Sequence, residues 1–272
     1  YITVLFTKFD LCIDFYNNKN SMFITFLSFA NKKMGFFKKK LLNKIVYNQT
    51  VKPEELSYKI YNLAEGIMKK LKLNCGTLKP ELYFSNENLS DADKFFFNKT
   101  KFQIGIFVGA SIESRRWDLE NVKRLIFGLK DKNIQFYILS GPLENESVKQ
   151  ECLKISEEVP YYFDMNILEL SSFISKLDLL VTNDSGPLHI AKAVNTDFIG
   201  LFGPTHHEVA VIGENSAYLS GYTKCNVLKR IENDRNPCEY KNCESKECIK
   251  SITPEQVSEK VMEYYNKKYS SE

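Results

Sequence analysis

"VTNDSGPLHIAKAVNTDFIGLFGPT", Val181 to Thr205, reads as a strand, an abrupt polar turn, a short helix, a second strand and another glycine turn. Its small, turn-forming residues gather where each strand ends. Upstream the same rhythm recurs. "FQIGIFVGA" reads as a buried strand from residue 102, "DLENVKRLIFGLKDKN" as an amphipathic helix, and "IQFYILSG" as a strand running into a Gly-Pro turn. Helices are expected near Glu146 to Ser156 and Ile167 to Leu177. This alternation predicts an α/β domain with a parallel sheet covered by helices on both faces.

The first hundred residues read as a less complete version of the same architecture. "DLCIDF" and "KKMGFF" suggest strands, while "MFITFLSFAN" and "KPEELSYKIYNLAEGIMKKL" suggest helices. The polar stretch "SNENLSDADKFFFNKTK" separates the halves, which sets expected domains at 1–95 and 96–272.

At 272 residues and 43% hydrophobic content the chain can bury real cores. Lys and Arg number 37 against 34 Asp and Glu, so no broad basic field for nucleic acid is expected. The longest apolar run, Met22 to Ala30, is far shorter than the roughly 20 residues of a spanning helix. The chain starts at Tyr1, inside an apolar segment, with neither an initiator Met nor a signal-peptide layout. The natural N-terminus is therefore expected upstream. Cys12, Cys75 and Cys152 are scattered, which suits a reducing cytoplasm.

In open parallel sheets ligands bind beyond the carboxyl ends of the strands. The loops there are "GASIESRRW", "SGPLENE", "TNDSGPLH" and "FGPTHHE". Asp184 or Ser185 can cap the following helix, Gly186 allows close backbone approach and Pro187 fits the first turn. Free N–H groups at such a helix end suit a phosphate. Asp184 itself is ill placed beside a phosphate; it fixes the loop or faces a hydroxyl. Arg115 and Arg116 add two guanidiniums suited to phosphate, beside an apolar Trp117.

The ordered set "GASIESRRWDLENVKRLI", "SGPLENE", "LLVTNDSGPLHIAKAVNTDFIGLFGPT" and "CIKSITPEQV" resembles the heptosyltransferase-like glycosyltransferases of family nine over most of residues 102 to 257. The resemblance implies a GT-B fold, two Rossmann-like domains of which the N-terminal one is incomplete here. It implies an enzyme that moves a heptose from ADP-heptose to the lipopolysaccharide inner core, by metal-independent inverting transfer and without a cofactor. Its partners would be that donor and a lipid-linked saccharide acceptor. Carried over by position, Ser111, Arg115, Asp184, Ser185, Gly186 and His189 would bind the donor. Arg115 stands where the family usually has Lys. Glu144 or Glu146 would meet the nucleoside. The catalytic base, an Asp following a glycine early in the N-terminal domain, is expected upstream of Tyr1, and Asp10 and Asp14 are not assigned to that role. Other family members using a different nucleotide sugar, and catalytically silent nucleotide binders, share this pattern.

Other features stay open. His189 either serves the donor or satisfies a neighbouring carbonyl, and His206 and His207 read as solvent-facing. Cys225, Cys238, Cys243 and Cys248 have twelve, four and four residues between them, permissive of zinc but also of reduced thiols or a disulfide. "FFKKKLLNK", Phe36 to Lys44, reads as a solvated loop or as a peripheral contact with an anionic inner membrane.

Overall fold

In the computed structural model three short strands, β1 (Leu11–Ile13), β2 (Lys32–Phe36) and β3 (Gln49–Val51), pair in parallel in the order β1-β2-β3. Helix α1 (Lys19–Leu27) starts at Asn18, whose side chain accepts from the Ser21 N–H while Ser21 returns the bond. Helix α2 (Leu41–Val46) occupies part of the segment read as a solvated loop. Met34, Val51 and Ile67 form a small core. The Tyr47 ring lies so close over Gly35 that an added Cβ would come within 2.6 Å of it. The Tyr47 hydroxyl donates to Asp14 Oδ2 at 2.5 Å, and the Tyr16 N–H donates to Asp14 Oδ1. Burial first, then Asp14, pushes the Tyr47 phenol far above its ordinary range. Asp14 is thus a buried structural pin, while Asp10 is exposed.

The structure describes residues 7–16, 18–36, 41–51, 66–74, 80–96, 98–155, 157, 159–205, 216–221 and 243–270. The helix expected over 52–71 is described only from 66, where it is helical to 70.

Two compact units divide the chain, Tyr1–Lys79 and Pro80–Glu272. Residues 80–95, read from sequence as the end of the first domain, pack with the second. Helix α3 (Asn86–Asp93) is capped by Ser85, and the Phe96 ring stacks 4.5 Å from Phe173 while Phe95 meets Tyr162 edge-on. The polar stretch is a capped helix ending in an aromatic anchor.

The second unit is a six-stranded, wholly parallel sheet: β4 (Phe102–Phe107), β5 (Ile134–Leu139), β6 (Tyr161–Tyr162), β7 (Leu179–Asn183), β8 (Phe198–Phe202) and β9 (Ser216–Ser220). Its helices are α4 (Leu119–Gly128), α5 (Glu146–Ile155), α6 (Ile167–Ile174), α7 (Gly186–Ala193), α8 (Glu247–Lys250) and α9 (Pro254–Tyr269). Ile104, Ile106, Val181, Ile199 and Leu201 join Leu125, Cys152 and Val257 in one core. Phe107, Leu180, Phe198 and Phe202 join Phe173, Ile174 and Leu188 in the other. The period-two alternation of each strand feeds both faces, which is why these segments read as continuous apolar runs.

The strand order is β6-β5-β4-β7-β8-β9. The chain steps from β4 outward to β6, then returns to the other side of β4 as β7. Between β4 and β7 the direction of winding reverses, the place in an open parallel sheet where ligands generally bind.

Candidate functional site

At that reversal Asn183, the last residue of β7, ties the two loops together. Its Nδ2 donates to the Val108 and Gly109 carbonyls at 3.1 and 3.3 Å, and its Oδ1 accepts from the Trp117 N–H at 3.0 Å. Asn183 and Trp117 are buried, and the indole N–H donates to Ile252 O at 2.8 Å. Asn183 is not among the residues expected from sequence; its signal is a polar residue closing an apolar strand just before "DSGP".

The two arginines of the β4 loop part company. Arg116 is 7% exposed and turns inward. Its Nη2 and Nη1 meet Glu144 Oε1 and Oε2 at 2.7 and 3.0 Å, its Nε meets Glu113 Oε2 at 3.0 Å, and Nη1 also donates to Val108 O. Burial works to raise the Glu144 carboxyl, but Arg116 and the Asn145 N–H outweigh it and hold it below the usual range. Arg116 is a buried strut, and both oxygens of Glu144, one of the two acids expected at the nucleoside, accept from it. Glu146 opens α5, exposed, and accepts from Gln150. Gly109 is required by close approach: a Cβ there would come within 2.6 Å of the Phe107 ring and 3.2 Å of Glu144 Oε2.

Arg115 ends a 3₁₀ turn (Glu113–Arg115) and reaches across to the β7 loop, its Nη1 3.3 Å from Asp184 Oδ2. That oxygen is buried and accepts no hydrogen bond, so the contact is charge attraction out of hydrogen-bond alignment. Asp184 thus faces the loop that carries Arg115.

Ser185 is the N-cap of α7, yet its side chain makes no capping bond; the hydroxyl donates to Asn183 O at 3.2 Å instead. Gly186 is exposed, and an added Cβ would meet nothing within 4 Å. Among the described residues nothing crowds Gly186 at the N-terminus of α7, beside Arg115 and Asp184, where the helix dipole and the guanidinium favour an anion. Ser111 is exposed in the β4 loop. His189, in the first turn of α7, is exposed at its edge; partial burial of the ring lowers its pKa, Asp184 pulls it back up and Lys192 adds to the fall.

No glycine of the described residues has positive φ, so Gly186→Ala carries no backbone strain. Folding stability should stay level or rise by up to about 1 kcal/mol, while a pyrophosphate resting on the bare backbone should bind about tenfold more weakly. Thermal melting and calorimetric titration of ADP read the two effects separately, and unchanged ADP affinity would remove the helix end from the site.

His206, His207, Cys225 and Cys238 lie outside the described residues. Cys243 is half-buried and Cys248 buried. Among the described residues no group of three or more His, Cys, Asp or Glu side chains could hold a metal ion.

Residues 3–246 match the model of glycosyltransferase family 9 (heptosyltransferase). The chain belongs to that family. It is 26% identical over 168 residues to lipooligosaccharide heptosyltransferase 2 of Campylobacter jejuni, which covers 58% of this chain and 50% of that one. A Haemophilus influenzae lipooligosaccharide heptosyltransferase 2 is 25% identical, covering 94% of this chain and 76% of its own. The chain spans half the length of the first of these relatives. Among solved structures, a family 9 protein from Veillonella parvula superposes with a TM-score of 0.70 at 16% identity, over 95% of this chain and 74% of that one. The E. coli heptosyltransferase WaaC with ADP-2-deoxy-2-fluoro heptose gives 0.67 at 15% identity, over 96% and 74%. These likenesses show the α/β fold with parallel sheets of the GT-B heptosyltransferases.

Proposed function

We propose that this family 9 chain binds a nucleotide-sugar donor, ADP-heptose first among them, and takes part in moving the sugar to a lipid-linked saccharide of the lipopolysaccharide core. The observation that carries the reading is the open N-terminus of α7 beside Arg115 at the winding reversal of the sheet. A departing nucleoside diphosphate gains negative charge, and in a metal-independent inverting transfer that charge must meet a cation and helix-end N–H groups. Arg115 and the backbone at Gly186 supply them. Ser185 and His189 flank the same helix end, Ser111 the β4 loop, and Asp184 holds Arg115 in place. The membership of the family and the solved relative holding an ADP-sugar support this donor class.

Thermal shift with ADP, UDP, GDP and their sugars tests it. A ligand at 100 times its dissociation constant stabilises by roughly 2.7 kcal/mol, so ADP and ADP-heptose should raise the melting temperature and the uridine and guanosine series should not. A stronger response to another series would move the chain to a different donor, and no response to any would remove the nucleotide site.

The acceptor side is proposed to meet the cytoplasmic face of the inner membrane. No helix among the described residues is long and apolar enough to cross a membrane. Residues 8–45 carry eight lysines against two aspartates, and Phe23, Phe26, Leu42 and Ile45 are exposed there. Cosedimentation should show binding to phosphatidylglycerol-containing vesicles that falls away as added salt shortens the screening length to about 3 Å near 1 M. Equal binding to purely zwitterionic vesicles would discard the role of charge.

A further inference from the structure

The turn that presents Arg115 also carries a carboxylate, Glu113, two residues before it. A bare carboxylate at that point would compete with any phosphate approaching Arg115 and would repel it. Both Glu113 oxygens are occupied. Oε2 accepts from Arg116 Nε at 3.0 Å, and Oε1 from Lys246 Nζ at 2.7 Å, a residue 133 positions away in sequence. Burial works to raise the Glu113 carboxyl, but Lys246 and Arg116 outweigh it and hold it below the ordinary range.

Lys246 is fixed in place by its backbone setting. Its backbone lies in the left-handed region, φ 49°, at the N-cap of α8, where an L side chain carries strain that the surroundings must maintain. The residues just after Lys246 are locked against the same end of the sheet: Cys248 is buried, a Cβ on Gly203 would come within 2.9 Å of Ile249, and Ile252 O accepts from Trp117. The Lys246 side chain is only 21% exposed, whereas that of Glu113 is 56% exposed.

We infer that Lys246 is a positioning residue for the phosphate site: it neutralises Glu113 and keeps that carboxylate away from Arg115. The inference rests on the donor-site reading proposed for this chain. Lys246 touches no ligand; it acts through Glu113 and the turn that Glu113 shares with Arg115.

The test is a double-mutant cycle on the full chain, read by calorimetric titration of ADP and of adenosine. Lys246→Met keeps the side-chain stem and removes the charge. It should weaken ADP about three- to fivefold at low ionic strength, the scale of a partly exposed ion pair, and leave adenosine unchanged. Lys246→Arg should restore ADP affinity. Adding Glu113→Gln to Lys246→Met should restore it too, because the carboxylate that needed neutralising is gone. Failure of Glu113→Gln to restore would overturn the inference in favour of direct contact between Lys246 and phosphate. Equal loss for ADP and adenosine would overturn it in favour of a general packing role. Arg115→Ala run alongside separates the donor site from its tuning: if ADP is indifferent to Arg115 the donor site itself falls, and the inference with it, whereas sensitivity to Arg115 with indifference to Lys246 overturns the inference alone.

Discussion

Arg116→Met should destabilise the unit Pro80–Glu272 by about 3–5 kcal/mol, the cost of breaking a buried pair and stranding one charge. Glu144 is the stranded group. Its side chain is 8% exposed, and with Arg116 gone its charge faces the protein interior met by backbone N–H groups such as that of Asn145 and by no cation that had paired with it before. The Val108 carbonyl loses a donor as well, though Asn183 still reaches it. At roughly 2–4 °C per kcal/mol for a unit of this size, the melting temperature should fall by about 6–20 °C. Arg116→Lys should recover little, since an ammonium cannot reproduce the paired contacts to both Glu144 oxygens. Thermal melting with Arg116→Met and the double variant Arg116→Met/Glu144→Leu checks the cause: removing both charges should recover much of the loss. If the double variant is as unstable as the single, the deficit is one of packing and not of stranded charge.

Arg115→Ala should act on binding instead. Its side chain is 21% exposed, against 8% for Arg116, so the fold has less to lose. A charge-assisted phosphate contact is worth about 1.5–3 kcal/mol, and ADP affinity should fall by that amount while adenosine affinity holds. The selectivity is decisive, because a distorted site would lose both. Calorimetric titration of the two ligands against wild type and variant reads it, and matched losses would take Arg115 out of the phosphate site.

The neighbouring arginines mark where reading a sequence stops. From residue types alone Arg115 and Arg116 are equal candidates for phosphate. Which one turns inward depends on Glu144, 28 positions away, being carried by β5 to the same end of the sheet. The fate of Glu144 is bound up in the same event: its acidity is visible in the sequence, but its partner is not. Lys246 and Glu113 repeat the lesson over a longer span, as does Asn183, whose hydrogen bonds join the ends of β4 and β7.

Some elements escape for the opposite reason, that their signals are weak. β6 has two residues and β9, "SAYLS", is half-buried and nearly without pattern, so each becomes a strand only because a neighbour offers its hydrogen bonds. α9 has a strong local signal: Thr253 and Gln256 form a capping box around Pro254 at the first turn. The stretch at residues 85–96 looks like a linker by composition, yet Ser85 caps a helix and Phe95 and Phe96 dock it.

The sequence by itself determined the α/β class, the buried strands β4, β5, β7 and β8, and the turns at their carboxyl ends, because apolar period, helix caps and glycine chemistry are local properties of neighbouring residues. It also carried the family, through an ordered set of such local motifs. Only the tertiary structure decided which arginine faces outward, that Glu144 is spent on the other, and that Asp184 and Lys246 attend the loop bearing Arg115. Charges choose partners by distance in space, and those distances exist only once the parallel sheet has brought the loops together.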